Sequence, residues 1–155
     1  MPIMPEQSEY QKALSALEAF RLRAKLYGLI AKPEFWGISI DDLFELVGNG
    51  RCGPGHGVVE WLVPDNILSA NVTPACTIHD FDYATGQTDE DKMVADCRLL
   101  VNLQLIIDIN FEPGIFRKIS YDIAEIYYNE VRDHGHDAFW AGKDPEEWKR
   151  SSSGS

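Results

Sequence analysis

His79 and Asp80 stand side by side in the stretch Ala75-Cys76-Thr77-Ile78-His79-Asp80-Phe81-Asp82-Tyr83. An imidazole next to a carboxylate on a short, mostly uncharged helix is a candidate general base beside a candidate metal ligand. Thr73-Pro74 reads as an N-cap followed by proline at the first helical position, and Gly86 reads as the C-terminal stop. On a helix of that phase Cys76, His79 and Tyr83 fall at i, i+3 and i+7 along one stripe, with Asp80 one position round.

A third chemical residue belongs to the next element. Thr88-Asp89-Glu90-Asp91 is a capping threonine with acids in the first turn, and predicts a helix to about Asn110. Its later part is apolar nearly all round, which predicts the central buried element. Asp96 lies in it, in phase with Leu100, Leu103 and Ile107, where a carboxylate is costly unless something pairs with it. Gly86-Gln87 forces the two helices into an antiparallel hairpin. At 1.5 Å per residue His79 and Asp96 each sit roughly 10–12 Å from the turn, level with one another, with Tyr83 one turn nearer. The expected partner of Asp96 is therefore the imidazole of His79. Such a couple fixes the ring's tautomer and leaves its other nitrogen as a base. No serine or cysteine nucleophile is evident beside His79, so the activated species is water. Asp80 with loop carbonyls would make an oxygen-rich, hard site, favouring Ca²⁺ over zinc.

The remaining elements must hold this pair. Ala13, Leu17, Phe20, Ala24, Tyr27 and Ala31 recur in helical steps, predicting an amphipathic helix over 8–31, widened by Leu14, Leu22 and Leu26. Arg21, Arg23 and Lys25 read as its solvated flank. Lys32-Pro33 ends it, and Phe35-Trp36-Gly37 reads as a loop. Ser39 caps a short helix through Val47, stopped by Gly48. The stretch from Gly48 to Gly57 holds several glycines, demanding a loop with residues at positive φ. Such a loop lets backbone groups converge on an ion, or merely connects. Val58 to Val63 is a strand fragment or an extended lead, and 66–71 a turn or a short helical piece. After Pro113-Gly114 a long helix presents Phe116, Ile119, Ile123, Ile126 and Glu130 on one face, with Tyr127 and Val131 alongside. His134 and His136 read as cations closing that helix rather than as metal ligands. Residues 1–150 read as a single domain, and 151–155 as a flexible serine-rich tail.

Lys and Arg number 14 against 25 Asp and Glu, a net charge of −11. That balance argues against nucleic-acid binding and against attraction to anionic lipid at long range. No apolar run approaches the ~20 residues that span a bilayer, and no secretory signal is read at the start. Cysteines 52, 76 and 97 allow one bridge and one free thiol within a monomer.

His79-Asp80-x-x-Tyr83, with Cys76 three residues before the histidine and Asp96 later, resembles the catalytic helix pair of the phospholipase A2 superfamily. Cys52-Gly53-Pro54-Gly55 is similar to that family's calcium-loop Cys-Gly-x-Gly. The likeness covers about residues 49–103 and is nearest the compact microbial and viral forms. It implies an all-α fold: an antiparallel helix pair with a calcium loop, here with extra N- and C-terminal helices. It implies a Cys52–Cys76 disulfide, leaving Cys97 as a buried free thiol. It implies His79 as general base on water, Asp96 and Tyr83 as its supports, and the Gly53 amide at the oxyanion. Ca²⁺ would be held by Asp80 and the carbonyls of Arg51, Gly53 and Gly55. The implied reaction is hydrolysis of the sn-2 ester of a glycerophospholipid at a membrane or micelle surface, by a monomer that is secreted or otherwise delivered outside the cell. A catalytically silent calcium-binding or interaction module is the alternative.

Overall fold

The computed structural model describes residues 5–50, 52 and 65–143. Among these the chain forms seven helices and one two-stranded ribbon: α1 (Pro5–Leu26), α2 (Pro33–Gly37), α3 (Ile40–Val47), β1 (Asn66–Ile67), β2 (Ala70–Asn71), α4 (Thr73–Thr85), α5 (Asp89–Asn110), α6 (Ile115–His134) and α7 (His136–Trp140). The protein is mostly helical, as its periodicities predict. None of the described helices is long and apolar enough to cross a membrane. The residues expected as Arg51, Gly53 and Gly55 of a calcium loop, the 58–63 segment and the serine-rich tail lie outside the described residues.

α1 starts at Pro5 and ends at Leu26, earlier than the 8–31 pattern predicts, because Gly28 turns the chain with φ +70° and Leu29 N bonds back to Ala24 O at 3.0 Å. Leu14, Leu17 and Ala24 are buried, whereas Leu22 and Leu26 face solvent. The stripe is therefore narrower than the pattern suggests. Phe35-Trp36-Gly37 is one helical turn rather than a loop, with proline at its first position. Arg21, read as a solvated flank, donates to Ile38 O at 2.6 Å and Phe35 O at 3.3 Å, capping that turn. α3 follows expectation: the Ser39 hydroxyl accepts from Asp42 N at 3.2 Å, and Gly48 closes it at φ +60°.

The 66–71 segment is an antiparallel ribbon, with Ile67 opposite Ala70 and the turn made through Leu68 at φ +51°. The turn was expected; a helical piece is not formed. The ribbon feeds α4 one residue earlier than the capping pattern places it. Val72 holds the N-cap position, the Asn71 side chain accepts from Thr73 N at 2.9 Å, and Thr73 is itself helical. The Thr73 hydroxyl is buried without a hydrogen-bond partner among the described residues.

α4, not α5, is the central element. Every residue from Thr73 to His79, and Phe81 and Asp82 after them, is buried, with α1, α3, α5 and α7 packed around the helix. α5 buries Leu99, Leu103, Ile106 and Ile107 but leaves Met93, Val94, Val101 and Ile109 exposed. The apolar content of α5 overstates its burial because only one side is covered. The face of α6 expected to pack is covered only in part, with Ile123 and Val131 against the core. Phe116, Ile119 and Ile126 are exposed, and Ser120, Ala124 and Tyr127 are buried. Small residues at the contact let two helices approach closely, which the bulkier stripe would prevent. Ser120 satisfies its hydroxyl on Phe116 O at 2.7 Å. After Gly135 the chain folds into α7 and buries Phe139 and Trp140 instead of trailing away. Cys97, expected buried, is exposed, with its sulfur 3.9 Å from the Tyr128 hydroxyl.

Candidate functional site

The α4–α5 hairpin brings the chemical residues together. α5 begins at a capping box in which the Thr88 hydroxyl accepts from Asp91 N at 3.1 Å and the Asp91 carboxylate accepts from Thr88 N at 3.2 Å. That fixed start sets the level of Asp96 against α4. His79 Nε2 lies 2.8 Å from Asp96 Oδ1, and the Tyr83 hydroxyl donates to the same oxygen at 2.7 Å. The rings of His79 and Tyr83 are 4.1 Å apart, centroid to centroid. Phe139 of α7 stands edge-on against Tyr83 at 5.3 Å. Gly86 makes this possible: with φ −73° it needs no left-handed freedom, but a Cβ there would come within 2.6 Å of the Phe139 ring.

Asp96 has a second oxygen, and Lys92 takes it at 2.8 Å. Burial raises the carboxyl's pKa, but the hydrogen bond and charge of His79 and the hydrogen bonds of Lys92 and Tyr83 outweigh burial and hold it below the ordinary carboxylate value. An ionised carboxylate only accepts, so Nε2 carries a proton, and in the neutral imidazole that leaves the lone pair on Nδ1. Burial and the adjacent Asp96 charge both push the Tyr83 phenol far upward, so it remains a donor.

Asp80 follows His79 directly on α4 and is half-buried. Protein crowded around it raises its pKa well above the ordinary value, and among the described residues no cation pairs with it. A carboxylate desolvated without a counter-charge suits a bound cation. Among the described residues no three His, Cys, Asp or Glu side chains cluster to hold a metal ion. A site built as expected would rest on Asp80 and on main-chain carbonyls beyond those residues.

The described residues on either side of 53–64 are nevertheless pinned near the start of α4. The sulfurs of Cys52 and Cys76 lie at disulfide distance, 2.08 Å. Gly50, at φ +71°, offers its carbonyl to the Thr77 hydroxyl at 2.8 Å, and a Cβ there would meet Leu17 at 2.8 Å. At the far end Asp65 accepts from Cys52 N at 2.9 Å and, through its own carbonyl, from Val72 N at 2.8 Å. The Gly50 and Cys52 contacts reach α4 about one helical turn before Asp80, whereas Asp65 meets Val72, more than two turns before it.

No family model, no curated protein and no solved structure matches the chain.

Sequence reasoning brought out His79, Tyr83, Asp80 and Asp96 but missed Lys92, although Lys92 and Asp96 stand at the i, i+4 spacing of a helical ion pair. It also missed Asp82. That carboxylate is buried and forked by Arg98 Nη1 at 2.7 and 2.8 Å, with Lys32 at 3.9 Å. Burial still raises its pKa against those cations. Asp82, three residues after His79, ties α4 to α5 through Arg98. Phe139 and Gly135 carry no local signal of their place beside Tyr83; only the path of the chain brings them there.

Proposed function

We propose that the protein is a calcium-dependent phospholipase A2-type hydrolase that cleaves the sn-2 ester of glycerophospholipids. The observation that carries this reading is a single carboxylate oxygen, Oδ1 of buried Asp96, shared by Nε2 of buried His79 and the hydroxyl of half-buried Tyr83. It is supported by the anchoring of the glycine-rich segment to α4 close to Asp80. His79 Nδ1 takes a proton from water as the water oxygen bonds to the ester carbonyl carbon. Asp96 stays ionised and stabilises the imidazolium, and Tyr83 keeps the carboxylate turned toward it. The imidazolium then returns the proton to the leaving glycerol oxygen as the acyl bond breaks, yielding a fatty acid and a lysophospholipid. Calcium, held by Asp80 and the carbonyls of Arg51, Gly53 and Gly55, would polarise the ester carbonyl as a Lewis acid. The Gly53 amide is the proposed second donor to the oxyanion. The Cys52–Cys76 pair supports delivery to an oxidising, calcium-rich exterior.

The test is fatty-acid release from phosphatidylcholine vesicles in millimolar Ca²⁺. EDTA should abolish release, and His79→Ala should lower it by about 10²–10⁴-fold, the worth of a positioned general base. Release indifferent to both would sink the assignment. No release from wild type, with a melting temperature that still rises on adding calcium, would favour the silent calcium-binding module.

A further inference from the structure

Lys92 is a buried ammonium, which is costly unless its charge and all its donors are matched. An ammonium has three donors and no acceptor. Lys92 places one on Asp96 Oδ2 at 2.8 Å and the others on Val131 O at 3.0 Å and Arg132 O at 3.3 Å. Those carbonyls belong to the last turn of α6, where the dipole favours a cation, and Val131 O takes Lys92 as a second donor beside Gly135 N at 2.9 Å. Both oxygens of Asp96 are thereby engaged. The torsion of an aspartate carboxylate is soft, and a twist about it would pull Oδ1 from His79 or Tyr83. The same end of α6 also limits the tyrosine: a Cβ on Gly135 would come within 2.5 Å of the Tyr83 hydroxyl oxygen.

We propose that Lys92, anchored on the end of α6, is a positioning residue that locks the rotation of the Asp96 carboxylate so that one oxygen serves His79 and Tyr83 together. The inference rests on the hydrolase reading for its consequence in rate, and on geometry alone for its consequence in structure. Lys92 touches neither water nor ester; it acts through Asp96. It makes the far end of α6 part of the catalytic framework, although α6 contributes no reacting group.

Lys92→Met, Lys92→Gln and Lys92→Arg separate positioning from mere folding. Two readouts are needed: vesicle hydrolysis, and the hydrogen-bonded His79 Nε2–H proton seen by NMR in the calcium-free protein at fixed pH. Lys92→Met should lower kcat by about 10–100-fold, as loss of an outer supporting partner does, with apparent KM little changed. Its Nε2–H signal should broaden through exchange while helix content by circular dichroism is kept. Lys92→Gln, which keeps two donors without the charge, should fall between; Lys92→Arg should recover most of the signal and rate. If Lys92→Met does not fold, Lys92→Gln decides. An unchanged Nε2–H signal in the folded neutral variants would overturn the proposal, as would lost rate with the signal intact. Absence of hydrolysis by wild type would remove the phospholipase reading, while the NMR comparison would still decide whether Lys92 holds Asp96.

Discussion

Asp96 shows how a buried charge becomes useful. Alone on the core-facing side of α5 it would protonate or destabilise the fold; with three donors around it, it stays ionised. The stability it contributes has a defined pH window. Its folded pKa lies below the ordinary value of about 3.9. The contribution is therefore present above that ordinary value and is lost as pH falls through the folded one. Asp96→Asn should cost about 3 kcal/mol at pH 7, because it leaves Lys92 buried without its counter-charge. The gap from wild type should narrow as pH falls below about 4, where the unfolded carboxyl takes up a proton while the folded one, with its lower pKa, still holds its charge. Denaturant midpoints at pH 7 and pH 3 check this, and a gap that widened on acidification would contradict it.

Two elements carry further expectations. α4 begins with a hydroxyl, Thr73 Oγ1, that is buried and unpartnered among the described residues, and its cap comes from Asn71 instead. Thr73→Val, nearly the same shape without the orphaned group, should raise stability by about 1 kcal/mol. Destabilisation measured in urea would mean that the hydroxyl is satisfied. The second element is the pinned loop. The Cys52–Cys76 closure spans 24 residues, for which the chain-entropy model gives about 3 kcal/mol. Replacing both cysteines by serine should lower stability by roughly that amount and weaken calcium binding. The helix content should persist, since Gly50–Thr77 and Cys52–Asp65 still tie the segment to α4.

Across the whole molecule, a net charge of −11 makes the fold receptive to cations, but only a built site gives a saturable response. Asp80 is desolvated without a cationic partner among the described residues. Calcium bound only by the folded state should raise stability by about 2.7 kcal/mol at a hundredfold excess over its dissociation constant. Asp80→Asn should erase this gain in thermal melts. Magnesium, which demands tighter octahedral geometry, should substitute poorly. An equal calcium response in wild type and Asp80→Asn would point to diffuse charge screening and remove Asp80 from the site.

Spacing along the chain determined a good deal. The helical class, the Thr88 capping box, the Ser39 cap and the level meeting of His79, Tyr83 and Asp96 follow from local periodicity and a short turn. A hairpin of two helices leaves little freedom in which residues face each other. What local pattern could not carry was which apolar face finds a partner. α5 and α6 each offer more hydrophobic surface than the fold covers, so the choice fell to the shape of neighbours: Ser120 and Ala124 allow close approach, and Phe116 and Ile119 are left outside. The return of α7 onto Tyr83 and the reach of Lys92 to the end of α6 join residues roughly forty to sixty positions apart. Contacts over such distances follow from packing the whole chain, and no local propensity encodes them.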